Sequence, residues 1–178
     1  DLSGNAVPVA WPNTVHLSAH GKELASYTVS QGETYKGFIA TKDGFLIITE
    51  KSDSTYTIDR VDNGQSTRDS NFTPIDLPGS VNSVAVQNIV YDAKADKFYL
   101  IDDSSGTPTS YSLWAFDAST GQKSIHTGFN QHITTDLEMV GAIDGAVFFQ
   151  EINATDGRHL LGYSVTGENL APNDPNTS

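Results

Sequence analysis

The sequence predicts an all-β fold, on three observations. Short β-prone runs recur along its 178 residues, and several are bounded by turn pairs such as Asp43-Gly44, Asn63-Gly64 and Asp144-Gly145. Apolar residues at helical spacing are nearly absent. Ser and Thr together supply 36 residues while charged residues make up only 18%, a composition that suits solvent-facing strand positions.

In chain order, Lys22–Tyr27 opens with good helix formers, but Ser26–Val29 leans to β, and the segment reads as a strand. Phe45-Leu46-Ile47-Ile48-Thr49 is a short continuous apolar run after Asp43-Gly44, the pattern of a strand buried on both faces. Thr55–Val61 alternates and runs into Asn63-Gly64. Ser83–Val86 and Asn88–Tyr91 are β-prone pieces. Phe98–Ile101 follows Ala95-Asp96-Lys97, and Tyr111–Phe116 follows a Ser/Gly/Thr/Pro loop. Ile133, Leu137 and Val140 have helical spacing, yet Asp136–Val140 also alternates and is read as a strand. Ala146–Phe149 and His159–Val165 complete the series.

Four strands run into a turn that ends in Gly followed by Gln or Glu. They end at Gly32, Gly64, Gly121 and Gly167. A second turn lies upstream of the last three, at Asp43, Asp96 and Asp144, which are 53 and then 48 residues apart. That spacing is near the length of one four-stranded propeller blade. The stretch Leu113-Trp114-Ala115-Phe116-Asp117-Ala118-Ser119-Thr120-Gly121-Gln122 resembles the repeat of quinoprotein-like β-propellers, whose third strand ends in an Asp-x-x-Thr-Gly turn. The resemblance is best over Ala93–Lys123. It implies four-stranded antiparallel blades, with Asp capping the turn, Gly taking the positive φ, and Trp114 and Phe116 packed between blades.

The expected architecture is therefore propeller-like, with about three to four blades; a β-sandwich is the alternative. Fuller blades fall around Tyr35–Gly79 and Val84–Gly128. Residues 1–168 are expected to form one β domain, and 169–178, with Pro172 and Pro175, a flexible tail or linker. The chain begins at Asp1 without a Met, which suggests a removed signal peptide and an extracellular or periplasmic location.

Composition narrows the partners. With 22 acidic and 10 basic residues, the net charge is −12. Such a field repels nucleic acid and anionic membrane surfaces. No apolar stretch is long and uninterrupted enough for membrane insertion. The absence of cysteine removes disulfides and thiolate zinc sites.

Candidate site residues are few. Trp11, between Ala10 and Pro12, is a candidate ligand-binding indole that would stack on a sugar or a partner. Asp102 and Asp103, at the end of an apolar strand and near Asp92 and Asp96, are a candidate calcium site through oxygen ligands. The same carboxylates also fit solvated turns. His16 and His20 stand four apart with Glu23 nearby, but without a helix or a His-Glu-x-x-His motif they read as surface histidines. His126, His132 and His159 are isolated. Tyr111 and Tyr163 read as core or blade-interface residues. No nucleophile elbow, phosphate loop or dinucleotide fingerprint is present.

The function expected from these features is a non-catalytic extracellular binding or assembly module. It would act through protein–protein contacts, with self-association, and without a required cofactor. A carbohydrate-binding protein and a secreted hydrolase or quinone-dependent enzyme are the alternatives.

Overall fold

In the computed structural model, the chain is described over residues 13–81, 83–102, 112–126, 137–151 and 159–164. These contain thirteen strands in four antiparallel sheets and one short helix. The first sheet pairs β1 (Thr14–Ala19) with β2 (Lys22–Thr28). The second is a meander of β3 (Glu33–Ala40), β4 (Gly44–Lys51), β5 (Tyr56–Asp62) and β6 (Ile75–Asp76). Helix α1 (Ser83–Gln87) follows. The third sheet is again a four-stranded meander: β7 (Val90–Asp92), β8 (Lys97–Asp102), β9 (Ser112–Asp117) and β10 (Lys123–His126). The fourth joins β11 (Leu137–Ile143), β12 (Ala146–Glu151) and β13 (His159–Ser164).

The sheets pack face to face in series, and strand alternation explains how. Successive side chains of a strand point to opposite faces. On β4, Phe45 and Ile47 pack with Leu17, Ala25 and Tyr27 of the first sheet. Leu46 and Ile48, between them, pack with Phe98, Leu100, Trp114 and Phe116 of the third. On β8 and β9, Tyr99, Leu113 and Ala115 turn the other way, onto Met139, Val147 and Phe149 of the fourth. A strand between two sheets must therefore be apolar on both faces. β4 is buried at six consecutive positions, Gly44 to Thr49. Trp114 and Phe116 do pack between sheets, with Phe116 stacked on Phe98 at 5.0 Å.

The two full sheets coincide with the blade-like segments read around Tyr35–Gly79 and Val84–Gly128. The structure thus bears out an all-β fold of repeated antiparallel sheets. Among the described residues these sheets do not close into a ring or barrel. The segment Lys22–Tyr27 is a strand, as expected, and so is the described part of Asp136–Val140. Thr55–Val61 is not the half-exposed strand its alternation suggests: Tyr56 to Val61 are all buried, because β5 lies in a sheet covered on both sides.

Ser83–Val86 departs from expectation. It forms α1 instead of a β piece. Val is a modest helix former, but the turn delivers Val86 and Ala85 to the core cluster between the second and third sheets. That burial outweighs a local preference worth a fraction of a kcal/mol.

Three of the repeated Gly turns carry the expected backbone, and Gly167 lies outside the described residues. φ is 86° at Gly32, 77° at Gly64 and 74° at Gly121, a region that costs L side chains energy. At Gly121 there is a second constraint. A Cβ there would lie 2.3 Å from the Thr73 carbonyl oxygen, so the turn could not sit this close to the second sheet with any other residue.

Candidate binding surfaces

One rim of the molecule is built from the aspartate turns. Asp117 Oδ1 accepts hydrogen bonds from the Ser119 and Thr120 amides at 3.0 and 2.9 Å and from both hydroxyls at 2.7 and 2.9 Å. Burial alone would raise its pKa. The hydrogen bonds from Ser119 and Thr120 outweigh that and hold it below the usual carboxylate value.

Asp92 does the same work across two sheets. It is fully buried. Its Oδ1 accepts the Lys94 and Ala95 amides at 3.0 Å each, and its Oδ2 accepts the Gly145 amide of the β11–β12 turn at 2.8 Å. Burial pushes its pKa up, but these backbone donors more than offset it, and the net direction is down.

Between the second and third sheets the tie is Arg60. Its Nε donates to Asp62 Oδ1 at 2.9 Å and lies 3.4 Å from Asp69 Oδ2. Its Nη1 donates to the Ala118 carbonyl at 2.6 Å. Between the first and second sheets, the Tyr27 hydroxyl donates to Asp59 Oδ2 at 2.9 Å. Burial, with Asp59 beside it, raises the Tyr27 pKa, and burial likewise raises that of Asp59. Tyr91, donating to Asp96 Oδ1 at 2.8 Å, is pushed up to about 12 by burial and by that contact. The carboxylates of this rim are largely occupied in holding turns and sheets together, as hydrogen-bonded buried groups must be.

Trp11 and Asp103 lie outside the described residues. Asp102 ends β8, opposite Ser112 in register. The carboxylates of Asp92 and Asp96 take backbone amides and the Tyr91 hydroxyl respectively. Among the described residues no group of three or more His, Asp or Glu is placed to hold a metal ion. His16 is on a strand and pairs with Glu23 Oε2 across β1 and β2 at 2.8 Å, while His20 sits in the hairpin turn with φ 50°. Tyr111 and His132 lie outside the described residues, and Tyr163 stands opposite Val147 on β13.

What sequence reasoning missed is the asymmetry of the two ends of the sheet series. The far face of the first sheet is polar. Thr14 and Thr28 are cross-strand partners within hydrogen-bonding distance, and His16 faces Ser26. The far face of the fourth sheet is mixed: Gln150 and its cross-strand partner Glu138 share it with apolar residues. Val147 and Phe149 of β12 point to the third sheet, so Phe148 points away. Ile143 pairs with Ala146 on that same away side and is 57% exposed. Val140, at the bulge between Met139 and Gly141, is 44% exposed. The signal lay in Ala146-Val-Phe-Phe149, which is apolar at even and odd positions alike, as in a strand meant to be covered on both sides.

Two concave surfaces are lined by the second and third sheets and by α1. A groove of about 500 Å³ runs along Pro74–Pro78, floored by Trp114, with Lys123 Nζ 4.1 Å above the indole. A cavity of about 300 Å³ lies between β3 and α1. No protein-family model matches the chain, and no curated protein is significantly similar to it. Among the described residues no helix is long and apolar enough to cross a membrane.

Proposed function

We propose that this chain is a non-catalytic binding or assembly module of the propeller-like kind, working outside the cytoplasm through protein–protein contacts. The observation that carries the reading is the outward face of the fourth sheet, which no sheet covers among the described residues. On it Val140 and Ile143 are exposed and Phe148 is half-buried, with no covering sheet among the described residues. Elsewhere among the described residues the exposed large hydrophobic is Phe38 on β3, at 49%. Contiguous exposed apolar surface on a soluble protein marks an interaction site. In stacked-repeat proteins the terminal unit normally turns a polar face outward. The first sheet follows that rule, whereas the fourth exposes Val140 and Ile143 beside its polar pair Glu138 and Gln150.

The partner that fits is another sheet with an apolar face. A second copy of this chain provides one, and two copies related by a two-fold axis would bury the same patch on both sides. The propeller-like arrangement accords with two consecutive four-stranded meanders joined through their faces, and with Asp-capped, Gly-closed turns at the ends of their strands.

The test is mass in solution by light scattering, with and without calcium, across a range of concentrations. A species near twice 19.1 kDa is expected. Replacing Val140 and Ile143 together by Asp should return it to monomer with an unchanged far-ultraviolet spectrum. A monomer at every concentration, or turnover of a substrate by the purified chain, would overturn the reading.

A further inference from the structure

The two-stranded first sheet has one edge occupied and one open. On β2 the outer edge is taken by the turn after β5: the Gly64 amide donates to the Leu24 carbonyl at 2.6 Å, and the Ser26 amide to the Gln65 carbonyl at 3.1 Å. On β1 no strand lies along the outer edge among the described residues. The Val29 amide donates to the Asn13 carbonyl, so in the alternating antiparallel pattern Val15 and Leu17 bond to β2 while the amides of Thr14 and His16 point outward. Such an edge is a template for a further strand unless it is blunted. Other edges are blunted. β3 and β11 each carry the extra residue of a bulge, Lys36 and Val140, on the edge strand itself, and β6, β7 and β10 are two to four residues long. In the first hairpin the extra residue, Leu24, is on β2, and β1 runs regularly without Pro or Lys from Thr14 to Ala19.

What lies beside β1 separates it from β13, the other long edge. Phe38 of β3 stands opposite Ile47 in register, so both point toward the first sheet. Ile47 is fully buried there. Phe38 touches Phe45 edge-on at 5.9 Å and is otherwise half open. The first sheet is too narrow to cover it: β2 lies against β5, β1 follows, and the place over β3 is the place next to the open edge of β1. A strand added there covers Phe38. Its side chains must alternate, because β1 turns Val15 and Leu17 to the core and Thr14 and His16, bonded to Thr28 and Glu23, to the outer face. Glu23 on that face and the net charge of −12 favour a basic segment.

We propose that β1 is a docking edge for an extended basic segment of a partner protein, which joins the first sheet as a third strand and lays its apolar side chains on Phe38. The probe is the acetylated, amidated peptide Lys-Val-Thr-Val-Thr-Val-Lys, with Lys-Val-Val-Val-Thr-Thr-Lys as the same composition without alternation. Titrated into the unaltered chain, the first peptide should saturate, slow hydrogen exchange at the Thr14 and His16 amides, and leave Val15 and Leu17 little changed. Phe38→Ala should weaken it about fivefold or more, and glutamates in place of its lysines about threefold or more. This readout is local to β1 and is independent of association through the fourth sheet. Equal binding of the two peptides, no saturable binding, changes centred on β13, or an affinity indifferent to Phe38→Ala would each overturn the proposal. So would slow exchange at Thr14 and His16 in the free chain, which would show the edge already taken by another segment of this chain or by a second copy.

Discussion

The strands β4 and β12 have much the same composition and different fates. β4 reads Phe45-Leu46-Ile47-Ile48 and is buried at every one of these positions. β12 reads Ala146-Val147-Phe148-Phe149, and only Val147 and Phe149 are buried. The difference is position in the series of sheets. β4 has the first sheet on one face and the third on the other. β12 has the third sheet on one face and no sheet on the other among the described residues. Apolar character states a demand for cover, and the neighbouring sheet meets it or does not.

The sharpest way to break this comparison is to truncate matched side chains. Leu46→Ala should cost about 2–5 kcal/mol in urea unfolding, since Leu46 is fully buried and leaves a cavity. Phe148→Ala should cost clearly less in the monomeric Val140→Asp, Ile143→Asp background. Equal costs would mean that the fourth sheet is covered in that monomer too.

Next comes the tie between the third and fourth sheets. Asp92→Ala removes the acceptor for three backbone amides, from Lys94, Ala95 and Gly145. Unpaired buried donors cost about 1–3 kcal/mol, so the midpoint should fall accordingly. Hydrogen exchange should quicken first at Gly145 and along β11. Uniform quickening across all four sheets would show that Asp92 supports the whole core instead of this one junction.

Acid should discriminate between junctions. Asp92 and Asp117 have folded pKa values below the ordinary carboxylate value. Their contribution is therefore complete above the unfolded pKa, about 3.9, and is lost as pH falls through the folded values. Asp59, raised by burial, runs the other way: its ionised form is disfavoured by folding, and protonation relieves that cost as pH falls. Below about pH 4 the third and fourth sheets should thus loosen before the junction of the first and second. Simultaneous loss of both, followed by tyrosine fluorescence and amide shifts, would contradict the assignment.

The smallest expected effect is at the surface. Ile143→Thr should change monomer stability by no more than about 0.5 kcal/mol, while reducing any concentration-dependent mass. A loss as large as that from Leu46→Ala would place Ile143 in a covered core.

Much of the fold is legible in the residues. The turn pairs, the Asp117–Gly121 cap and the two full meanders follow from local chemistry, because a turn needing positive φ restricts its residues wherever it occurs. The helix α1 was not legible, since Ser83–Val86 has β-prone side chains and only packing against the core favours the helical turn. The candidate site was less legible still. Trp11 and Asp103 stand out by type and local composition, yet the surfaces that emerge depend on Ile143, Val140 and Phe38, which are unremarkable as letters.

The sequence by itself determined the strands, their turns, and the apolar demand on both faces of β4, β9 and β12, because period-two alternation and turn conformations are properties of neighbouring residues. Only the tertiary structure decided which of those faces is covered. Cover is a relation between sheets tens of residues apart. Ile47 and Phe148 differ in burial because of what lies opposite them and not because of what they are.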